Sequence, residues 1–426
     1  MLQKLNSRYN DNGLLIFLGL IIALFPLTFL LGSLLVNLNT ILISLIFITF
    51  VLKKKYLYIF NDKFFILLVL LWLSFLINLF FSTNFENSLT RVLGFVRFIL
   101  LALTIKIFFE NSSFKLKKLV FSIWLIIFII ISFDLVFEFI VGNNILGFKS
   151  PMAGRLSGFL NQELKIGHLY SAIFLICAVY ILIFTKKNRY FFIFLFLSIC
   201  ISLLIGERSN FIRVMLMSIL FISFYEKENF LKKIFSIFFT GIIIVLFISF
   251  NSEYNKRFWG QFAKPIVQGN IKTDKVEIKE RFSFKEVINF TVYGANYDRA
   301  YRVFLDNKIF GVGIKNYRNE SNKKKYENKN LHFNANASSI HPHQVHLELL
   351  AETGIFGYLV FIIFIICSFY LSYKNFLKSK NLINLSSFLY IFFSLTPFLP
   401  SGSFFTTYGA TLFWINYSLM ISKIEN

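Results

Sequence analysis

The chain has 426 residues, 56% of them hydrophobic, a formal charge of +22 and a mean hydropathy of +0.66. A water-soluble domain could not hide that much apolar surface, so the composition excludes one and predicts an all-α polytopic membrane protein. The lysines lie in short clusters between apolar stretches, which is a topology pattern and argues against a nucleic-acid partner. The three cysteines all fall inside apolar stretches, so no disulfide framework is implied.

A bilayer core takes ~20 apolar residues per helix, which divides the sequence into about twelve spans. They are 14–31, 34–52, 64–81, 89–109, 118–141, 167–185, 190–206, 208–224, 233–250, 344–371, 383–400 and 405–422. The first has no small-residue cleavage site and is followed by further spans, so it reads as a retained helix. Lys53–Lys55, Lys115–Lys118, Lys186–Arg189, Lys227–Lys233 and Lys374–Lys380 all fall on one side if both termini are cytoplasmic, as the positive-inside rule requires. The opposite side then carries two longer segments, 142–166 and 251–342. The domain reading is nine helices over 1–250, one large extracytoplasmic loop over 251–342, and three helices over 343–426. No internal repeat of the transporter kind is visible. Inside the long loop Arg299–Leu305 reads as an amphipathic helix ended by Gly311-Val312-Gly313, and 323–336 reads as mobile.

Ionisable residues within spans are costly and mark sites or water-filled cavities. Here Arg91 and Arg97 open the fourth span, Asp134 and Glu138 end the fifth, Arg208 and Arg213 open the eighth, and Glu348 and Glu352 open the tenth. All belong to the extracytoplasmic half. The expectation is an outward-open cavity walled by these four spans, with some carboxylates pairing with the arginines. Guanidinium groups in excess suit a polyanion, because each grips phosphate oxygens in a planar fork.

Pro342 lacks an N–H and has a preset φ, so it predicts a helix start that places His343 in the first turn. There the peptide dipoles attract an anion and keep an imidazole neutral, ready to accept a proton. His341 and His343 diverge on a helix, and no cysteine or carboxylate completes a zinc spacing. The long loop also lacks the paired aspartates of a magnesium diphosphate site. The sequence therefore carries no metal or cofactor assignment.

His343-Gln344, nine residues, then Gly354-x-x-Gly357 resembles the signature of the O-antigen ligase and polymerase superfamily. Asp306-Asn307-Lys308-Ile309-Phe310-Gly311-Val312-Gly313 is similar to its loop turn, Gly206-Glu207-Arg208-Ser209 to its arginine motif, and Arg155-Leu156-Ser157-Gly158-Phe159 to a further segment. Gln344 stands where Asn is commoner, and Lys308 where Pro is usual. The resemblance implies a bacterial inner-membrane glycosyltransferase that uses no metal and moves a glycan from undecaprenyl diphosphate to a lipid A-core or similar acceptor in the periplasm. A polymerase, joining lipid-linked repeat units, is the nearest alternative; a lipid-linked glycan transporter is a rival from another class. By position the resemblance makes His343 the base or an acceptor-orienting residue, and Arg208 a diphosphate ligand. Arg299, Arg302 and Arg318 compete for a second ligand from the loop, with Arg213 and Arg97 in reach of the same anion. Gly354, Gly357, Glu348, Asp134 and Glu138 are expected to support the site.

Overall fold

The computed structural model describes residues 13–225, 241, 243–263, 292–328, 341–397 and 399–424, and no strand occurs among them. In chain order the main helices are α1 (Gly13–Ala23), α2 (Phe25–Leu31), α3 (Ser33–Val51), α4 (Lys63–Leu79), α5 (Phe85–Asn111), α6 (Phe114–Val141), α7 (Ile166–Thr185), α8 (Asn188–Leu204) and α9 (Arg208–Tyr225). They continue with α10 (Val292–Asp306), α11 (Val345–Ser379), α12 (Leu382–Ser394) and α13 (Thr407–Ile421). Five of these, α3, α5, α6, α7 and α11, are long and apolar enough to cross a membrane. The pair α1 and α2, bent by 43°, makes a sixth. Pro26 sits in the first turn of α2, where a missing N–H costs least and a change of direction is tolerated. Helices α4, α8 and α12 are apolar but shorter. Half of the expected span 233–250 lies outside the described residues, and 243–250 is helical.

Side-chain chemistry sorts the helices into centre and rim. Nearly every residue of α13 is buried, as is most of α7, and a helix apolar on all sides belongs in the middle of a bundle. Trp414 of α13 fills the space between Phe95 of α5 and Phe404, with edge-on ring contacts to Phe95 at 5.5 Å. Rim helices instead expose rows of large apolar side chains at helical spacing, such as Leu359, Ile363, Ile366 and Tyr370 on α11 and Ile126, Ile130 and Phe133 on α6. At the end of the bundle where α4 begins, Lys106 is buried to 1% exposure and bonds Asp62 and Glu110 at 2.7 Å each. Asp62 also caps α4 by accepting from the Phe64 N–H at 2.8 Å.

Helix α11 runs eight residues beyond the expected 371 and is broken inside. Gly354 adopts φ 63°, ψ −171°, a conformation closed to side-chain-bearing residues, which opens the helical ladder. The Ile355 and Phe356 N–H groups donate to the carbonyls of Lys308 and Ile309 at 2.8 and 3.1 Å. The carbonyls of Ala351 and Glu352 accept from Val312 and Gly313 at 3.0 and 2.8 Å. Residues 308–313 thus satisfy both sides of the break, the requirement for non-helical backbone at membrane depth. A Cβ on Gly354 would collide with the Ile309 carbonyl. The same turn is tied to the α4–α5 connection, since Thr83 N–H donates to Val312 O at 3.0 Å and Ser88 Oγ to Ile314 O at 3.0 Å.

Two expectations about the loop are adjusted. The amphipathic helix spans Val292–Asp306, longer than Arg299–Leu305 at both ends, and the glycine turn follows it after four further residues. Of the stretch 323–336, residues 324–326 form a 3-10 turn, with Lys325 paired to Asp306 at 2.9 Å, and 329–336 lie outside the described residues.

Candidate functional site

Two loops cross tightly at the head of α9. The Leu156 N–H donates to Ile205 O at 3.1 Å, and Gly206 packs so closely on the Gly154 carbonyl that no Cβ would fit. This crossing sets Arg155 2.7 Å from the Glu207 carboxylate. Behind it, Glu138 accepts the Ser157 and Gly158 N–H groups at 3.2 and 2.7 Å, and Asp134 accepts that of Ile145 at 2.9 Å. Glu348 similarly accepts from Phe404 N–H at 2.8 Å and from Ser403 Oγ. Among the described residues none of Asp134, Glu138, Glu348 and Glu352 pairs with Arg91, Arg97, Arg208 or Arg213, contrary to expectation. Backbone donors in nearby loops satisfy three of these carboxylates without desolvating a second charge.

The cavity that results has a volume of about 630 Å³. Arg208, Ile212 and Arg213 of α9 line it, with Arg155, Lys165 and His168 ahead of and at the start of α7, Arg257, Tyr293 of α10, His341, His343, Tyr390 of α12, and much of the segment Leu399–Phe413. Among the described residues, five cations face this space against the one carboxylate of Glu207. The expected walls are corrected: neither α5 nor α6 lines it. Arg97 touches the border, donating to Thr407 Oγ1 at 3.3 Å, while Arg91 is exposed elsewhere. Asp134 and Glu138 act from behind, through the loop that carries Arg155.

The guanidinium groups are fixed by carbonyls. Arg208 Nη1 donates to Arg257 O at 3.0 Å, and Arg257 Nη2 returns to Gly206 O at 3.2 Å. Burial, then the neighbouring charges of Arg155 and Arg208, bring Arg257 down to about 10. Deeper in, Arg213 donates to Asn210 Oδ1 at 3.0 Å and Pro400 O at 2.6 Å. The Nε–H groups of Arg155, Arg213 and Arg257 are buried and donate to nothing among the described residues. None of the three loop arginines reaches the cavity. Arg299 is buried and donates to Ser321 O at 2.6 Å, Arg302 pairs with Asp298 at 2.7 Å, and Arg318 is exposed. Arg299 and Arg302 make these bonds within the loop, and Arg257, earlier in the chain, stands at the cavity instead.

His343 is also displaced from its expected place. Helix α11 starts at Val345 with Gln344 as N-cap, whose side chain accepts from Leu347 N–H at 2.8 Å. His343 precedes the cap in the left-handed region, at φ 58°. With Gln344 as the cap, the histidine stands one residue outside the helix. The His343 carbonyl accepts from Ser401 N–H at 2.8 Å, which ties it to the same segment that holds Arg213. Its ring lies 4.2 Å from that of His341 and 5.8 Å, edge-on, from Tyr293. Burial lowers the pKa of both imidazoles, His341 to about 3 with help from its neighbour, so both are neutral near pH 7. Gly357 lies past the helix break, where a Cβ would press on the side chain of Thr353.

Sequence reasoning named His343, Arg208 and Arg213 and missed Arg155, Lys165, His168, Arg257, Tyr293 and His341 as neighbours of them. Arg155 stood in a quoted motif and His341 two residues from His343, so both had a signal. Arg257 and Tyr293 had none. Among the described residues no group of three or more His, Cys, Asp or Glu is gathered as metal ligands. Compared with protein families, residues 193–362 match that of the O-antigen ligases. That stretch holds Arg208, Arg213, Arg257, His341, His343 and both glycine turns. No curated protein matches the chain significantly.

Proposed function

We propose, from the match of residues 193–362 to the O-antigen ligase family and from the five to six helices apolar and long enough to cross a membrane, that the chain is a multi-pass membrane glycosyltransferase that transfers a glycan from undecaprenyl diphosphate to a lipid A-core or similar acceptor. The carrying observation is the concentration, among the described residues, of five cations, one carboxylate and three histidines in one cavity. A diphosphate is the anion that matches such a surplus. Arg155, Arg208 and Arg257 form its clamp and Arg213 secures the deeper end, each offering paired donors to phosphate oxygens.

The reaction follows from that placement. The acceptor hydroxyl attacks the anomeric carbon as the bond from that carbon to the phosphate oxygen breaks. The hydroxyl proton passes to the neutral imidazole of His343, and the electron pair of the broken bond stays on the departing undecaprenyl diphosphate. Charge builds on that leaving group, and fixed guanidinium groups in a partly dehydrated cavity stabilise it directly. Attack from the side opposite the diphosphate inverts the anomeric centre, with no covalent enzyme intermediate. No metal or cofactor enters the scheme.

The wider reading keeps twelve spans, cytoplasmic termini and a periplasmic cavity in the inner membrane, for which the basic clusters between helices are the support. A polymerase would use the same donor chemistry with a second lipid-linked glycan as acceptor. Deletion of the gene followed by gel analysis of surface polysaccharide separates the two. Loss of all long chains, with glycan accumulating on the carrier lipid, is expected for a ligase; a ladder arrested at one repeat would overturn that in favour of the polymerase. Free exchange of lipid-linked glycan across proteoliposome membranes, without transfer, would overturn both.

A further inference from the structure

The proposed reaction leaves one place unassigned, the space between the diphosphate clamp and the base, where the first sugar of the donor must lie. Tyr293 occupies its edge. It stands in the first turn of α10, lines the cavity, and keeps 39% of its surface exposed. Its ring meets that of His343 edge-on at 5.8 Å, and its phenol is within electrostatic reach of both Arg208 and Arg257. It therefore meets the base directly and lies near the clamp. An aromatic ring covers the apolar C–H face of a pyranose, and a phenol adds one directional hydrogen bond, the combination that lets a mostly apolar wall orient a polar ligand. Tyr301, two turns further along the same helix and half exposed, does not line the cavity.

We infer that Tyr293 is a sugar-contacting specificity residue, which holds the diphosphate-linked first sugar of the donor between the arginine clamp and His343. This rests on the glycosyltransferase reading, and it separates sugar recognition from diphosphate recognition. The ring orients the pyranose so that its anomeric carbon faces the acceptor hydroxyl; the arginines bind the anion whatever sugar it bears.

The test uses the purified full-length protein in detergent with two probes, undecaprenyl diphosphate and undecaprenyl-diphosphate N-acetylglucosamine. Wild type is expected to bind the glycosylated probe more tightly. Y293A should weaken that probe about three- to tenfold, the range for loss of one aromatic contact, and leave the bare diphosphate lipid unchanged. Y293F should keep most of the difference, and Y301A all of it. Equal affinity of wild type for the two probes overturns the inference, as does a Y293A variant that loses both alike, which would make the tyrosine a mere support for the arginines. If wild type binds neither probe, or if R208A leaves the bare lipid bound as before, the glycosyltransferase reading itself fails, and that outcome is distinct from the others.

Discussion

The two ends of the bundle bury positive charge in opposite ways. Lys106 is closed off at 1% exposure with Asp62 and Glu110 both at 2.7 Å, so its charge is more than neutralised on the spot. The cavity at the other end gathers Arg155, Lys165, Arg208, Arg213 and Arg257 around Glu207, and the buried Nε–H groups of three of these arginines find no acceptor among the described residues. A buried ion needs a partner, since its desolvation costs several kcal/mol. Where the fold supplies a carboxylate for each charge the charge is structural; a surplus of cations over carboxylates is the feature on which the proposed anion site rests.

That contrast can be broken by substitution. The largest effect is expected at His343→Ala, with transfer down about 10²–10⁴-fold at normal abundance, the range for a lost general base. Membrane fractions assayed for transfer and for protein level would decide it, and retained activity removes the base. Arg208→Lys keeps the charge and loses the fork; its transfer rate should fall on the order of 10²-fold, as for one preplaced donor at a developing anion. Lys106→Met should do the reverse, lowering thermal stability by about 3–5 kcal/mol through the orphaned carboxylates, while the folded fraction keeps its specific activity. A stable but inactive Lys106 variant would erase the distinction between the two ends.

A smaller effect concerns pH. Burial lowers His343 below the usual 6.5, so the base remains unprotonated as pH falls through that value, and the acid limb of the rate profile should lie below 6.5. A limb at or above 6.5 would remove His343 from the proton transfer. The linked stability has the same sign. His341, near 3 when folded, binds its proton more readily unfolded, so its contribution is full above about 6.5 and is lost as pH falls toward 3. Smallest of all, a chelator should leave the transfer rate unchanged; its abolition would call for a metal.

Much of the fold was legible because lipid imposes a simple rule, a run of apolar residues for each helix. The arginines of α9 were legible for the same reason, since charge stands out in such runs. What stayed hidden depended on long-range backbone pairing. Asp134 and Glu138 looked like ion-pair partners for arginine, yet the bend of 144–158 brings main-chain N–H groups closer. The cluster of loop arginines drew attention away from Arg257, because no local pattern tells a guanidinium that caps its own loop from one that faces a cavity. His343 was found by motif, but its exact station was lost when Gln344 took the cap.

The interruption of α11 at Gly354 has a consequence for biosynthesis. Lys308 and Ile309, whose carbonyls receive the stranded amides of Ile355 and Phe356, leave the ribosome before that helix does. The later segment can enter the bilayer without exposed polar backbone at the break only by docking on a turn that is already waiting. Gly354→Ala, which forces a side chain against that turn, should therefore fail at insertion and be cleared as nascent protein, and pulse-labelled membranes would show it before any assay of sugar transfer could.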